Sequence, residues 1–86
     1  MQCSVEISMY PLKKEFKKPI IEFIKNLRKH SEIIVKTNGI STQVFGDYDN
    51  ISKALNQEIK NSFKNNKSIV FNMKIINSDL QEIPVF

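Results

Sequence analysis

The side chains that carry most enzyme chemistry are scarce in this chain, which holds one histidine, His30, one cysteine, Cys3, and two glycines, Gly39 and Gly46, in 86 residues. A Ser, His and Asp relay needs a histidine held against a nucleophile. His30 follows Lys29 at a basic helix end, where a solvated surface position is expected. Cys3 falls on the inward side of an alternating strand, so a buried structural thiol is expected there and not a nucleophile. One cysteine makes no intramolecular disulfide, no paired Cys or His spacing suits zinc or an iron–sulfur cluster, and two separated glycines make no phosphate-cradling loop. Binding is expected, without catalysis, metal or resident cofactor.

The residue that most needs an explanation is Glu6, a carboxylate in the middle of a strand. From Gln2 to Tyr10, Cys3, Val5, Ile7 and Met9 alternate with Ser4, Glu6, Ser8 and Tyr10, the period of a half-buried strand. If this strand lies between the third and the fourth, then Ser41, Gln43, Asn72 and Lys74 all come within reach of Glu6. Two readings stand side by side. Glu6 pairs across the strands with Lys74 and sets register, or it accepts a hydrogen bond from an amino or ammonium-like group of a ligand, helped by neighbouring hydroxyls and amides.

The remaining elements follow from periodicity. Phe16, Ile20, Phe23, Ile24 and Leu27 recur at helical spacing, with Pro19 in the first turn, where a missing amide costs least. Ile33 to Thr37 and Ile40 to Phe45 flank Asn38-Gly39, the signal of a two-residue hairpin turn. That turn pairs Thr37 with Ile40, Val35 with Thr42 and Ile33 with Val44, and puts Ile33, Val35, Thr37, Thr42 and Val44 on one face. Gly46 is expected to end the strand, and Asp47 or Asp49 to cap a second helix with the stripe Ile51, Ala54, Leu55, Ile59 and Phe63. Ser68 to Asn77 alternates again and makes the last strand. The order βαββαβ gives an α+β, ferredoxin-like domain, a four-stranded antiparallel sheet with two helices on one face. Its open face carries Glu6, Ser8, Ser41, Gln43, Phe45, Asn72 and Lys74 among Ile34, Val70 and Ile76.

The length supports one domain over residues 1–86, in which residues 79–86 form a tail too apolar at Ile83, Pro84, Val85 and Phe86 to stay free. The tail is expected to dock on its own sheet or on a neighbouring protomer. The net charge of +4 is spread over scattered lysines, the densest group being Lys13, Lys14, Lys17 and Lys18, which make a solvated helix face or a phosphate patch. No apolar run approaches the roughly 20 residues that span a bilayer, no secretion signal opens the chain, and the lone thiol fits a reducing, cytoplasmic setting. An RNA-binding module of the same topology is the alternative function. It would stack bases on paired aromatics of the central strands, and the first strand offers only Tyr10. A small acyl-phosphate hydrolase would need an arginine in Tyr10-Pro11-Leu12-Lys13-Lys14, which has none.

Val5-Glu6-Ile7-Ser8-Met9-Tyr10-Pro11-Leu12, followed by Lys36-Thr37-Asn38-Gly39-Ile40-Ser41-Thr42 and Phe45-Gly46, resembles the thiamine-binding family of ferredoxin-like proteins. The resemblance runs over nearly the whole chain and implies binding of thiamine or its hydroxymethylpyrimidine part, with assembly through sheets into dimers and tetramers. By position, Ser8 and Tyr10 of the first motif and Thr37, Ser41 and Thr42 of the second become ligand-region residues. Glu6 is added on chemical grounds, with Asn72 in reach of it, and Phe45 or Phe71 could supply an aromatic wall. The hairpin register leaves Thr37 and Thr42 on the helix side and Ser41 on the open side, so either a pocket at the sheet's end is reached from both sides or Thr42 is a core hydroxyl bonded to backbone.

Overall fold

A computed structural model describes residues 1–82. Its elements are β1 (Gln2–Pro11), α1 (Lys17–Leu27), β2 (Ile33–Thr37), β3 (Thr42–Asp47), α2 (Tyr48–Asn65) and β4 (Ile69–Ile76). The strands form one antiparallel sheet in the order β2-β3-β1-β4, so the domain has the α+β, ferredoxin-like βαββαβ arrangement and β1 lies inside the sheet.

The alternation of β1 decides which face is covered. Cys3, Val5 and Ile7 are buried together with Ile33 and Val44 of the neighbouring strands, with Phe23 and Leu27 of α1, and with Ile51, Ala54 and Leu55 of α2. Both helices therefore pack on one sheet face. Pro19 sits in the first turn of α1, and Asp47 caps α2 by accepting a hydrogen bond from the Asp49 amide at 3.2 Å. The N-terminal ammonium donates to the same carboxylate at 2.9 Å and holds it below the usual carboxylate range. Phe71 packs inward between Phe23 and Phe63, with ring centroids at 5.1 and 5.6 Å.

The hairpin departs from the two-residue turn. Thr37 pairs with Thr42, Lys36 with Gln43, Val35 with Val44, Ile34 with Phe45 and Ile33 with Gly46, a slip of two residues that leaves every side chain on its expected face. The cause is the Asn38 side chain, whose Oδ1 accepts from the amides of Ile40 and Ser41 at 2.9 and 3.1 Å, while the Asn38 amide donates to the Ser41 carbonyl. These bonds close a loop of residues 38–41, and Gly39 is not at positive φ.

Gly46 does not end β3, which runs on to Asp47. Gly46 adopts a φ of 154°, and a Cβ there would meet the Glu32 carbonyl oxygen at 3.3 Å.

Two further expectations are corrected in the helices. The stripe of α2 turns onto Glu58 and Ser62, both buried, whereas Phe63 is half exposed. His30 is not solvated: its Nε2 lies 2.7 Å from Glu58 Oε2, and the pair ties the end of α1 to α2. Burying a carboxylate there is tolerable because the imidazole answers it.

At the tail, the Ser4 hydroxyl donates to the Ser78 carbonyl at 2.7 Å and accepts from the Leu80 amide at 2.8 Å, which fixes the chain just after β4 against β1. The expected docking of Ile83, Pro84, Val85 and Phe86 lies outside the described residues.

Candidate functional site: a pocket at the end of the sheet

The strand β1, the 38–41 loop and α1 converge at one end of the sheet. Between them lies a cavity of about 180 Å³ onto which Ser8, Tyr10, Thr37, Ser41 and Thr42 open. Its hydrocarbon wall comes from Ile20, Phe23 and Ile24 of α1 and from Ile7 and Met9 of β1, and the highly exposed Ile40 stands at the rim. The loop closed by Asn38 borders this space with all four of its residues, 38–41. The hydroxyls of Thr37 and Thr42, directly opposite in the sheet, lie 2.9 Å apart.

Beside the pocket runs a polar chain across the open face. The Ser41 hydroxyl donates to Glu6 Oε2 at 3.1 Å and accepts from Gln43 Nε2 at 2.9 Å. Lys74 Nζ stands 3.8 Å from Glu6 Oε1, a solvent-exposed contact worth little by itself. Of the four residues expected within reach of Glu6, Ser41 bonds it closely and Lys74 loosely, Gln43 joins through Ser41, Asn72 makes no side-chain bond to it, and Glu6 does not itself line the sheet-end pocket.

A second, larger and more apolar cavity of about 340 Å³ lies on the open face between Glu6, Gln43, Phe45, Lys74, Ile76 and the tail residue Leu80. Phe45 belongs to this cavity and not to the sheet-end pocket. It is only 6% exposed, with Lys36 Nζ 5.7 Å above its ring. Asn72 pairs with Ser8 across the sheet and lines neither cavity. The pocket wall that sequence reasoning assigned to Phe45 or Phe71 is supplied by Phe23 and its helical neighbours. Their apolar spacing was the available signal, though it read equally as core.

Among the described residues no group of three or more His, Cys, Asp or Glu side chains is placed to hold a metal ion. No helix of the described residues is long and apolar enough to cross a membrane.

A family model for the YKOF-related family matches residues 2–79. The chain belongs to that family. Among solved structures, a protein of Methanocaldococcus jannaschii superposes with a TM-score of 0.78 at 25% identity, over 94% of this chain and 84% of that one. A Thermotoga maritima protein described as a candidate for thiamine biosynthesis or salvage superposes with a TM-score of 0.81 at 15% identity, over 91% and 85%. A domain of unknown function from Bacillus cereus does so with a TM-score of 0.69 at 11% identity, over 99% and 84%. No curated protein matches. The family match covers both motifs and the whole sheet-end pocket.

Proposed function

We propose that this chain is a non-catalytic binding protein for thiamine or its hydroxymethylpyrimidine part, a carrier or sensor that works as a homo-oligomer and takes the pyrimidine ring into the sheet-end pocket. The observation that carries this reading is the convergence of five hydroxyl-bearing residues, Ser8, Tyr10, Thr37, Ser41 and Thr42, on one pocket walled by hydrocarbon. Family membership and the thiamine-related description of the Thermotoga protein support the ligand class.

The pocket suits one ring. Its volume falls below the roughly 300–1,000 Å³ of sites that enclose drug-sized ligands, so the second ring of thiamine would rest at the mouth beside Ile40 and Tyr10. A pyrimidine presents ring nitrogens that accept and an amino group that donates. The contact between Thr37 and Thr42 uses one of their two hydroxyl protons. The other proton is held only weakly, by Thr37 donating to the Ser41 carbonyl at 3.5 Å, so a ring nitrogen at a shorter distance would compete for it.

The open face favours association over RNA. Ile34, Val70 and Ile76 are each about half exposed there, and Met73 and Ile75 continue the apolar surface on the other side of the β4 edge. A second sheet covers such a surface. Among the described residues of that face, base stacking has only Tyr10 to use, since Phe45 is buried. The single histidine is spent on Glu58 between the helices, away from the pocket.

Titration calorimetry with thiamine and with hydroxymethylpyrimidine tests the function, and sedimentation tests the assembly. Saturable heat with at least one ligand, from a particle larger than one chain, is expected. Absence of heat at millimolar ligand would overturn the binding assignment.

A further inference from the structure

We infer that Glu6 is a positioning residue for ligand choice: by holding the proton of the Ser41 hydroxyl, it turns the Ser41 oxygen into a pure acceptor, so the site selects a ring bearing an N–H donor over one bearing a carbonyl at that place. The inference rests on the pyrimidine reading of the sheet-end pocket and adds to it a rule of selection.

The rule follows from counting protons. A serine hydroxyl has one proton and two lone pairs, an ionised carboxylate only accepts, and an amide nitrogen only donates. The Ser41 proton therefore points to Glu6 Oε2 at 3.1 Å, and Gln43 Nε2, at 2.9 Å, occupies one lone pair. One lone pair is left.

The backbone of Ser41 is anchored, its amide donating to Asn38 Oδ1 and its carbonyl accepting from the Asn38 amide, both at 3.1 Å, and its hydroxyl is held by the Glu6 and Gln43 side chains. Ser41 is 9% exposed and borders the sheet-end pocket, not the open-face cavity. A ligand amino group facing it finds an acceptor. A carbonyl oxygen there meets a second oxygen with no proton between them, a mismatch that weakens binding.

Glu6 lies on the other side of Ser41, about half exposed, with Lys74 near its second oxygen. It is thus reachable by substitution without opening the core.

The test is calorimetry on the full chain with 4-amino-5-hydroxymethyl-2-methylpyrimidine and with its 4-oxo counterpart, for the wild type, Glu6→Gln and Gln43→Leu. The wild type is expected to prefer the amino ligand by about tenfold or more. In Glu6→Gln the new amide can donate to Ser41, freeing its proton to serve a carbonyl, so the preference should fall towards one. Gln43→Leu leaves the proton on Glu6 and should keep the preference.

A Glu6→Gln protein that weakens both ligands equally and keeps the wild-type ratio would show a merely structural role and overturn the inference. So would a wild type that binds both ligands equally well. Binding of neither ligand by a folded wild type would instead sink the pyrimidine reading itself, and the selection rule with it.

Discussion

At the scale of single residues, Gly46 shows how backbone and neighbours set one identity. Its φ of 154° is costly for a residue with a side chain, and the Glu32 carbonyl leaves little space for one. Gly46→Ala should lower stability by about 1–3 kcal/mol in urea unfolding, and an unchanged midpoint would refute the assignment. The hydroxyl pair makes a second residue-scale prediction. Thr37→Val and Thr42→Val should each weaken pyrimidine binding roughly 3- to 10-fold in calorimetry, the worth of one hydrogen bond, and the double variant should lose less than the product of the two. The residues of the two motifs could be named from their types and positions, and the structure brings them to the border of one pocket. The place of Phe45 could not be named in the same way, because β3 alone does not tell which cavity an open-face aromatic meets.

At the scale of elements, strand faces were legible from period-two alternation, and a slip of two residues in the hairpin could not disturb them. The slip itself was not legible: Asn38-Gly39 signals a tight turn, yet the Asn38 side chain can equally well bond the next amides and lengthen the loop. The helix seam was hidden for another reason. Glu58 lies outside the apolar stripe of α2, and its partner His30 is 28 positions away in the chain, so no local pattern marks the pair. Removing that partner leaves a carboxylate buried and unanswered, so His30→Leu should cost on the order of 2 kcal/mol in chemical denaturation. An effect near zero would show the pair to be incidental.

The α2 cap carries a pH sign. Asp47 is held below the usual carboxylate range chiefly by the N-terminal ammonium, so its contribution is present above that range and fades as pH falls through the depressed value. Asp47→Asn should therefore flatten the acid limb of the melting-temperature profile relative to the wild type, and parallel profiles would contradict it.

At the scale of the whole molecule, the domain divides its sheet between two tasks. One face is closed by both helices, and the other remains a mixed surface with a half-exposed apolar border along β4. The candidate site belongs to neither face alone: it forms between β1, the hairpin loop and α1, and its bordering residues alternate between the two sides of the strands. Element order and the covered face could be read along the chain, because each rests on local pattern. The meeting of loop and helix could not, because it depends on loop length and on how α1 crosses the strand ends.

In the proposed function this junction, and not the larger open-face cavity, holds the ring. Amide chemical-shift mapping of the labelled full chain during titration with hydroxymethylpyrimidine tests it most directly. The expected result is saturable shifts at Ser8, at residues 38–42 and along Ile20 to Ile24. Shifts confined to Phe45, Ile76 and Leu80, or none at saturating ligand, would contradict it.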